Sequence, residues 1–333
     1  MQPDRIDLWA SDEYTFDSRY SFMPNLRCYL HRPEGDARPA MLIVPGGGYT
    51  HVSLTEGEIV AQRFYDAGYQ AFVLTYTVNA FHLRPVKEQA LRDLDRAVRL
   101  LRSRAEALSL RQDRLFVCGF SAGGHLAASL AVLGSSLTDP RYPEISGRPD
   151  AVVLSYPVIT SGPFAHRESF QALLGPSPTK EELEAVSLEK HVSDRTPPVF
   201  LWHTATDGSV PVENSLLFFA ACRKAGVPAA LHVFTRGEHG LSLATAAWAN
   251  GEFGEDYCSE QRQIIYEAAR QGSPAFTDEE KERIEQEHLG MLAWRKLNTR
   301  QHQPVPEVSA WPDLALSWLS ARFSHCESSK GCD

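Results

Sequence analysis

The chain has 333 residues, 43% of them hydrophobic and 10% aromatic, and a formal net charge of -9. That apolar share is enough for a sizeable core, and the acidic balance argues against a sequence-independent nucleic-acid binder, which needs clustered Lys and Arg. No run of about 18 apolar residues is present, so no membrane span is expected.

The first residues, MQPDRIDLWASDEY, lack the basic and apolar regions of a secretory signal. From there, short apolar runs alternate with helical patterns. LRCYLHRP (26–33) reads as an antiparallel edge strand and AMLIVP (40–45) as a buried strand. Residues 56–68 then read as a helix stopped by Gly68, and QAFVLTY (70–76) as a strand. In the helix expected over 87–108, Leu91, Leu94, Val98 and Leu101 make one apolar face. Its basic stretch, 92–104, is interrupted by Asp93 and Asp95 and reads as a solvated face. RLFVCGF (114–120) is a strand and 122–133 a helix; AVVLSYP (151–157) and PVFLWHT (198–204) are strands. A helix over 212–225 closed by Gly226, a strand ALHVFT (230–235) and a helix over 312–323 complete the pattern. Near-continuous apolar strands alternating with helices predict an α/β fold, a mostly parallel central sheet covered on both faces, in a single domain over 1–333.

Residues 243–310 break this rhythm, because a compact αβ connection takes about 2–6 residues. One helix is expected over 256–271, and a second opens with the capping box of Thr277 and Glu280. Ile264, Ile265, Ile284, Met291, Leu292 and Trp294 need something to pack on. A surface decoration, a lid and a dimer contact all fit. The cysteines, Cys28, Cys118, Cys222, Cys258, Cys326 and Cys332, are scattered with no C-x-x-C pair. They suggest neither a zinc site nor a disulfide framework, and reduced thiols in a cytoplasm are the expectation.

Four segments carry chemistry. Gly119-Phe120-Ser121-Ala122-Gly123 is G-x-S-x-G between a predicted strand and a predicted helix. Taken alone, a helix-capping serine also explains it. PGGGYTHVS (45–53) follows the first parallel strand, and the backbone N–H groups of Gly46, Gly47 and Gly48, with that of Ala122, could hold an oxyanion; a flexible loop is the plainer alternative. Asp207 follows one strand and could instead make an Asx-turn or cap the next helix, while His239 follows the last strand, flanked by Gly237 and Gly240. These strand ends share one rim, and the order Ser121, Asp207, His239 is that of a nucleophile, an orienting acid and a base. Tyr49 and His51 either line the pocket or pack. Phe120, His203 and Cys118 read as core, and Glu238 as too close in sequence to orient His239.

PGGGYTHVS, GFSAGGHLAASL, PVFLWHTATDGSVPVENSLLF, GEHGLSL and WPDLALSWL together resemble the α/β-hydrolase superfamily. Within it they are similar to the bacterial esterase/lipase group of acetyl esterases and acetylxylan esterases. The resemblance covers about residues 25–242 and 311–321. Pro45 stands where the hormone-sensitive-lipase type has the histidine of HGGG, and the segment before Trp311 is longer than the short link expected. The resemblance implies two-step acyl transfer with no metal or cofactor, on a small-molecule ester, with acetylated xylo-oligosaccharides the leading substrate. It leaves a homo-oligomer open and implies no nucleic-acid or membrane partner. Tyr49, His51, Tyr76, Tyr156 and Trp248 would supply a sugar-binding rim. Two other functions compete. A prolyl-oligopeptidase-type peptidase shares the residue order but carries a large upstream domain, and few residues precede the first strand here. A non-catalytic binding protein on this scaffold would be expected to lack one of the three side chains.

Overall fold

The computed structural model describes residues 4–32, 35–297 and 302–323. Its strands are β1 (Asp4–Asp7), β2 (Asn25–Tyr29), β3 (Arg38–Val44), β4 (Gln70–Thr75), β5 (Leu110–Phe120), β6 (Ala151–Ser155), β7 (Val199–Thr204) and β8 (Ala229–Phe234). They form one sheet in the order β1-β2-β4-β3-β5-β6-β7-β8. β1, β2 and β4 pair antiparallel; every pairing from β4 through β3 to β8 is parallel. The helices are α1 (Glu58–Asp66), α2 (Gln89–Ser103), α3 (Ser121–Leu133), α4 (Arg167–Leu174), α5 (Lys180–Ala185), α6 (Glu213–Lys224), α7 (Ala246–Ala249), α8 (Glu260–Arg270), α9 (Asp278–Leu297), α10 (Pro306–Ser309) and α11 (Trp311–Phe323).

The register lines up Ile43, Cys118, Val153, Phe200 and Ala230 across the parallel strands. Every residue of β4, β6 and β7 is buried, which is why these strands read as unbroken apolar runs rather than alternating ones. Trp202 on β7 stacks on Trp311 at 5.3 Å, and the Trp311 indole N–H donates to the Ser242 carbonyl at 2.8 Å. α11 is thereby tied to the loop that follows β8.

Two expectations change. β2 is not the edge strand, because β1 pairs outside it. The DRID sequence of β1 is mostly exposed and carries no apolar signal. The charged stretch along α2 is solvated only at its ends, Arg92 and Arg104. Asp93, Asp95, Arg96 and Arg99 are all buried, beneath residues 9–13 and the 134–150 loop. Arg96 lies 3.9 Å over the Trp9 ring and forks onto Asp139 at 2.6 and 2.7 Å. Asp93 accepts from Trp9, Gln89 and the Thr77 N–H, and burial pushes its carboxyl up to about 6 against these bonds. Sequence periodicity marks where side chains point, and here chain from elsewhere covers the polar face as well.

The 243–310 segment packs on the early part of the chain. Gln261 pairs its carboxamide with both the N–H and the carbonyl of Val78 at 2.9 Å, and Arg262 lies 3.9 Å over Phe81. Arg5 and Asn25 reach Glu260, and Arg19 reaches Glu280 at 2.9 Å. The Thr277–Glu280 capping box is present, with both bonds near 3 Å (2.9 and 3.2 Å). Ile265 and Ile284 are buried, Ile264 and Met291 half-buried and Leu292 exposed. The Trp294 side chain, Cys326 and Cys332 lie outside the described residues. Among those described, no helix is long and apolar enough to cross a membrane, and Cys28, Cys118, Cys222 and Cys258 are free and buried.

Candidate active site

The carboxyl ends of β3, β5, β7 and β8 open into the loops that carry the four chemical segments. At the end of β5 the chain turns sharply into α3, and Ser121 takes φ 51°, the left-handed region that non-glycine residues rarely adopt. The glycines around it are steric necessities. A Cβ on Gly119 would stand 2.4 Å from the Gly123 carbonyl oxygen, and one on Gly123 would stand 2.2 Å from that of Val44. Those contacts are backbone and cannot swing aside. Gly123→Ala is therefore expected to cost about 3 kcal/mol, the upper end for overpacking a core. Gly208→Ala, with nothing within 4 Å, should be nearly neutral. Urea midpoints measure both, and equal midpoints would contradict this packing.

Ser121 Oγ lies 2.8 Å from His239 Nε2, and His239 Nδ1 lies 2.7 Å from Asp207 Oδ2. The carboxylate fixes the proton on Nδ1, so Nε2 is left as acceptor for the serine O–H. Asp207 Oδ1 accepts the Ser209 and Val210 N–H groups at 2.9 Å, so the Asx-turn and the contact with His239 are made by different oxygens of one side chain. Burial would raise the Asp207 carboxyl, but hydrogen bonds from His203 and His239, the charge of His239 and the Val210 N–H outweigh it and hold it well below the usual range. His203 is fully buried, its Nε2–H donating to the Val210 carbonyl at 2.9 Å. Glu238 is exposed.

The glycine loop corrects one expectation. The Gly46 N–H donates to Glu56 Oε2 at 2.7 Å and is not free for an oxyanion. Glu56 is buried and needs donors, and this is one of them. Gly47 and Gly48 have φ 114° and 61°, and among the described residues their N–H groups meet no acceptor; neither does that of Ala122, in the first turn of α3. The loop is tightly turned rather than flexible, since Thr50 and His51 both donate to the Gly47 carbonyl. Tyr49 is a second correction. It is 2% exposed, and its hydroxyl donates to His125 Nδ1 at 2.8 Å, so it packs rather than lines a pocket. Tyr76, Tyr156 and Trp248 are likewise buried, which leaves His51 as the exposed member of the expected aromatic and polar rim.

Three residues that sequence reasoning passed over bear on the site. His125 donates from Nε2 to the Val186 carbonyl, and burial lowers its imidazole to about 4 despite that bond, so it is a neutral strut between α3 and Tyr49. His166 caps α4 through Ser169, whose Oγ would be 3.8 Å from a Cβ on Gly48. Glu56 bridges the Gly46 N–H and the Tyr156 hydroxyl, each at 2.7 Å. His125 stands inside the GFSAGGHLAASL stretch but carries no reactive spacing there, and Glu56 and His166 have no motif around them. A cleft of about 390 Å³ lined by His31, Tyr65, Gln70 and Leu108 sits at the other end of the sheet and holds no paired nucleophile and base. Among the described residues no group of His, Cys, Asp and Glu could hold a metal ion.

The BD-FAE family model matches residues 26–221. The chain is 46% identical over 259 residues to endo-1,4-beta-xylanase B of Butyrivibrio fibrisolvens, covering 77% of this chain and 41% of that protein. It is 29% identical over 225 residues to the acetylxylan esterase of Xylanibacter ruminicola, covering 66% and 44% respectively. The chain thus spans less than half the length of these curated relatives. Among solved structures, the acetyl ester-xyloside bifunctional hydrolase from Caldicellulosiruptor lactoaceticus is similar with a TM-score of 0.67 at 42% identity, over 73% of this chain and 89% of that one.

Proposed function

The chain belongs to the BD-FAE family and has the α/β-hydrolase fold, and from that footing we propose that it is a serine esterase that removes short acyl groups, acetyl above all, from xylo-oligosaccharides. The observation that carries this reading is the unbroken chain from Ser121 through His239 to Asp207, at 2.8 and 2.7 Å. In the first step Ser121 Oγ attacks the ester carbonyl carbon while His239 Nε2 takes its proton. Asp207 stabilises the imidazolium so formed. The N–H groups of Gly47, Gly48 and Ala122 receive the developing oxyanion, each such donor contributing about 3 kcal/mol. The tetrahedral intermediate collapses, and His239 returns the proton to the departing sugar hydroxyl. Water then attacks the acyl-enzyme with His239 again as base.

The acetylxylan and xyloside chemistry in the names of the relatives supports the sugar acetate. The buried aromatic side chains argue that a sugar is held by the exposed His51 and the half-buried His166 rather than by stacking. The free, buried thiols fit a cytoplasmic enzyme acting on small imported oligosaccharides. The test is a series of p-nitrophenyl esters, acetylated xylo-oligosaccharides and peptide anilides. A pocket that distinguishes one methylene by about 1–3 kcal/mol should make kcat/KM fall steeply from acetate to butyrate without reaching zero. A preference for octanoate, anilide cleavage above ester cleavage, or no acetate released from any sugar would overturn the reading.

A further inference from the structure

Glu56 is 3% exposed, and no ion pair to a cation reaches it among the described residues. It nonetheless sits where the two halves of the site meet. One oxygen accepts the Gly46 N–H, and a Cβ on Gly46 would be 2.8 Å from the Ser121 Cβ, so this peptide lies directly against the serine. The other oxygen accepts the Tyr156 O–H at 2.7 Å. Tyr156 Oη in turn accepts the Ser242 N–H at 3.1 Å, in the loop just beyond His239, and the Tyr156 ring stands edge-on to the His239 ring at 4.9 Å. Ser242 itself has φ 48° and is held from its other side by Trp311.

We propose that Glu56 is a positioning residue for the reaction: it ties the glycine loop to the histidine loop through Tyr156 and places a second negative charge behind His239. The inference rests on the esterase reading above. The hydrogen-bond pattern fits the ionised form. Both oxygens face donors, and Tyr156, already accepting from Ser242, would be left with an unplaced hydroxyl hydrogen if Glu56 donated to it. Burial raises the carboxyl, and the bonds from Tyr156 and Gly46 pull against that rise. The groups around it cannot replace the charge. Burial raises Tyr76, Cys118 and Cys258, so they stay neutral, and it lowers His166. His239 otherwise faces Asp207, with His203 behind that carboxylate and the exposed Glu238 beside it in sequence.

A carboxylate there favours the imidazolium of His239, which forms as Ser121 attacks. Glu56→Gln keeps the volume and an acceptor for Gly46 but removes the charge. On p-nitrophenyl acetate it should lower kcat by about 10- to 100-fold, the scale of a small misplacement at a reacting centre, with KM little changed. It should also move the acid limb of the kcat/KM profile to lower pH, since the protonated histidine loses a stabilising neighbour. Tyr156→Phe cuts the link by one oxygen and should lower kcat at least fivefold, with a non-additive double variant. A role confined to packing would lower Tm and leave the acid limb in place. If Glu56→Gln keeps the wild-type kcat and acid limb, or, where that variant does not fold, if Tyr156→Phe keeps wild-type kcat, the inference fails. Ser121→Ala separates this from the reading beneath it: an inactive serine variant beside a fully active Glu56→Gln sinks the role of Glu56 alone, and an active serine variant sinks the esterase reading.

Discussion

Ser121→Ala is expected to lower kcat/KM on p-nitrophenyl acetate by about 10⁴-fold or more, because in the proposed mechanism one atom is both the attacking nucleophile and the site of the acyl-enzyme. At about 1.4 kcal/mol per tenfold, that is more than about 5 kcal/mol of transition-state stabilisation. The fold should not notice. The hydroxyl makes one side-chain bond, to His239, and the residue is 9% exposed. Its backbone, at φ 51°, is the strained element. Ser121→Gly should be equally inactive and yet at least as stable as the parent, since a non-glycine residue held in a sparsely populated conformation costs about 1–3 kcal/mol. A protein that gains stability on losing its proposed nucleophile has been holding that residue against a local cost. Kinetics, fluorophosphonate labelling and thermal melts decide it together. A Ser121→Ala enzyme that retains a tenth of the parent activity would remove Ser121 from the mechanism.

The sheet was legible because β4, β6 and β7 are buried on both faces and leave unbroken apolar runs. The three candidate catalytic side chains were legible because each lies just past the carboxyl end of a parallel strand with a glycine within two residues, and around Ser121 the glycines are dictated by backbone approach, as at Gly119 and Gly123. What escaped has no local signature. β1 is polar and is defined by its partners, β2 and the distant Glu260. The buried charges of α2 look like surface until Trp9 and Asp139 arrive from elsewhere in the chain. Gly46 reads like its neighbours Gly47 and Gly48, and only the fold brings Glu56 to its N–H. Tyr49 follows the glycines as a pocket residue would, and only the fold turns it inward onto His125. Long-range polar contacts, unlike periodicity, cannot be read from spacing.

Asp207→Asn should be nearly as damaging as loss of the serine, about 10³- to 10⁴-fold in kcat, for a reason that lies in one hydrogen atom. Asp207 Oδ1 is committed to the Ser209 and Val210 N–H groups, so the asparagine carbonyl must take that place. Its NH₂ group then faces His239 Nδ1, which has to become an acceptor. The ring proton moves to Nε2 and points at Ser121, so the base can no longer accept the serine proton. The same bonds carry a stability signature. The Asp207 carboxyl is held below its ordinary value, chiefly because its bonds to His203 and His239 overcome the cost of burial. A carboxyl depressed in the folded state contributes stability that is fully present above its unfolded value, near 3.8, and is lost as pH falls below it toward the folded value. The gap in Tm between parent and Asp207→Asn should therefore be wide at pH 7 and close as the pH falls below about 4. Glu238→Gln, which removes the other carboxylate beside His239 in the chain, should change neither rate nor melting, because Glu238 is exposed and makes no contact with the ring nitrogens. If the Glu238 variant proves the slow one, or if Asp207→Asn stays within tenfold of the parent, the orienting acid is not Asp207.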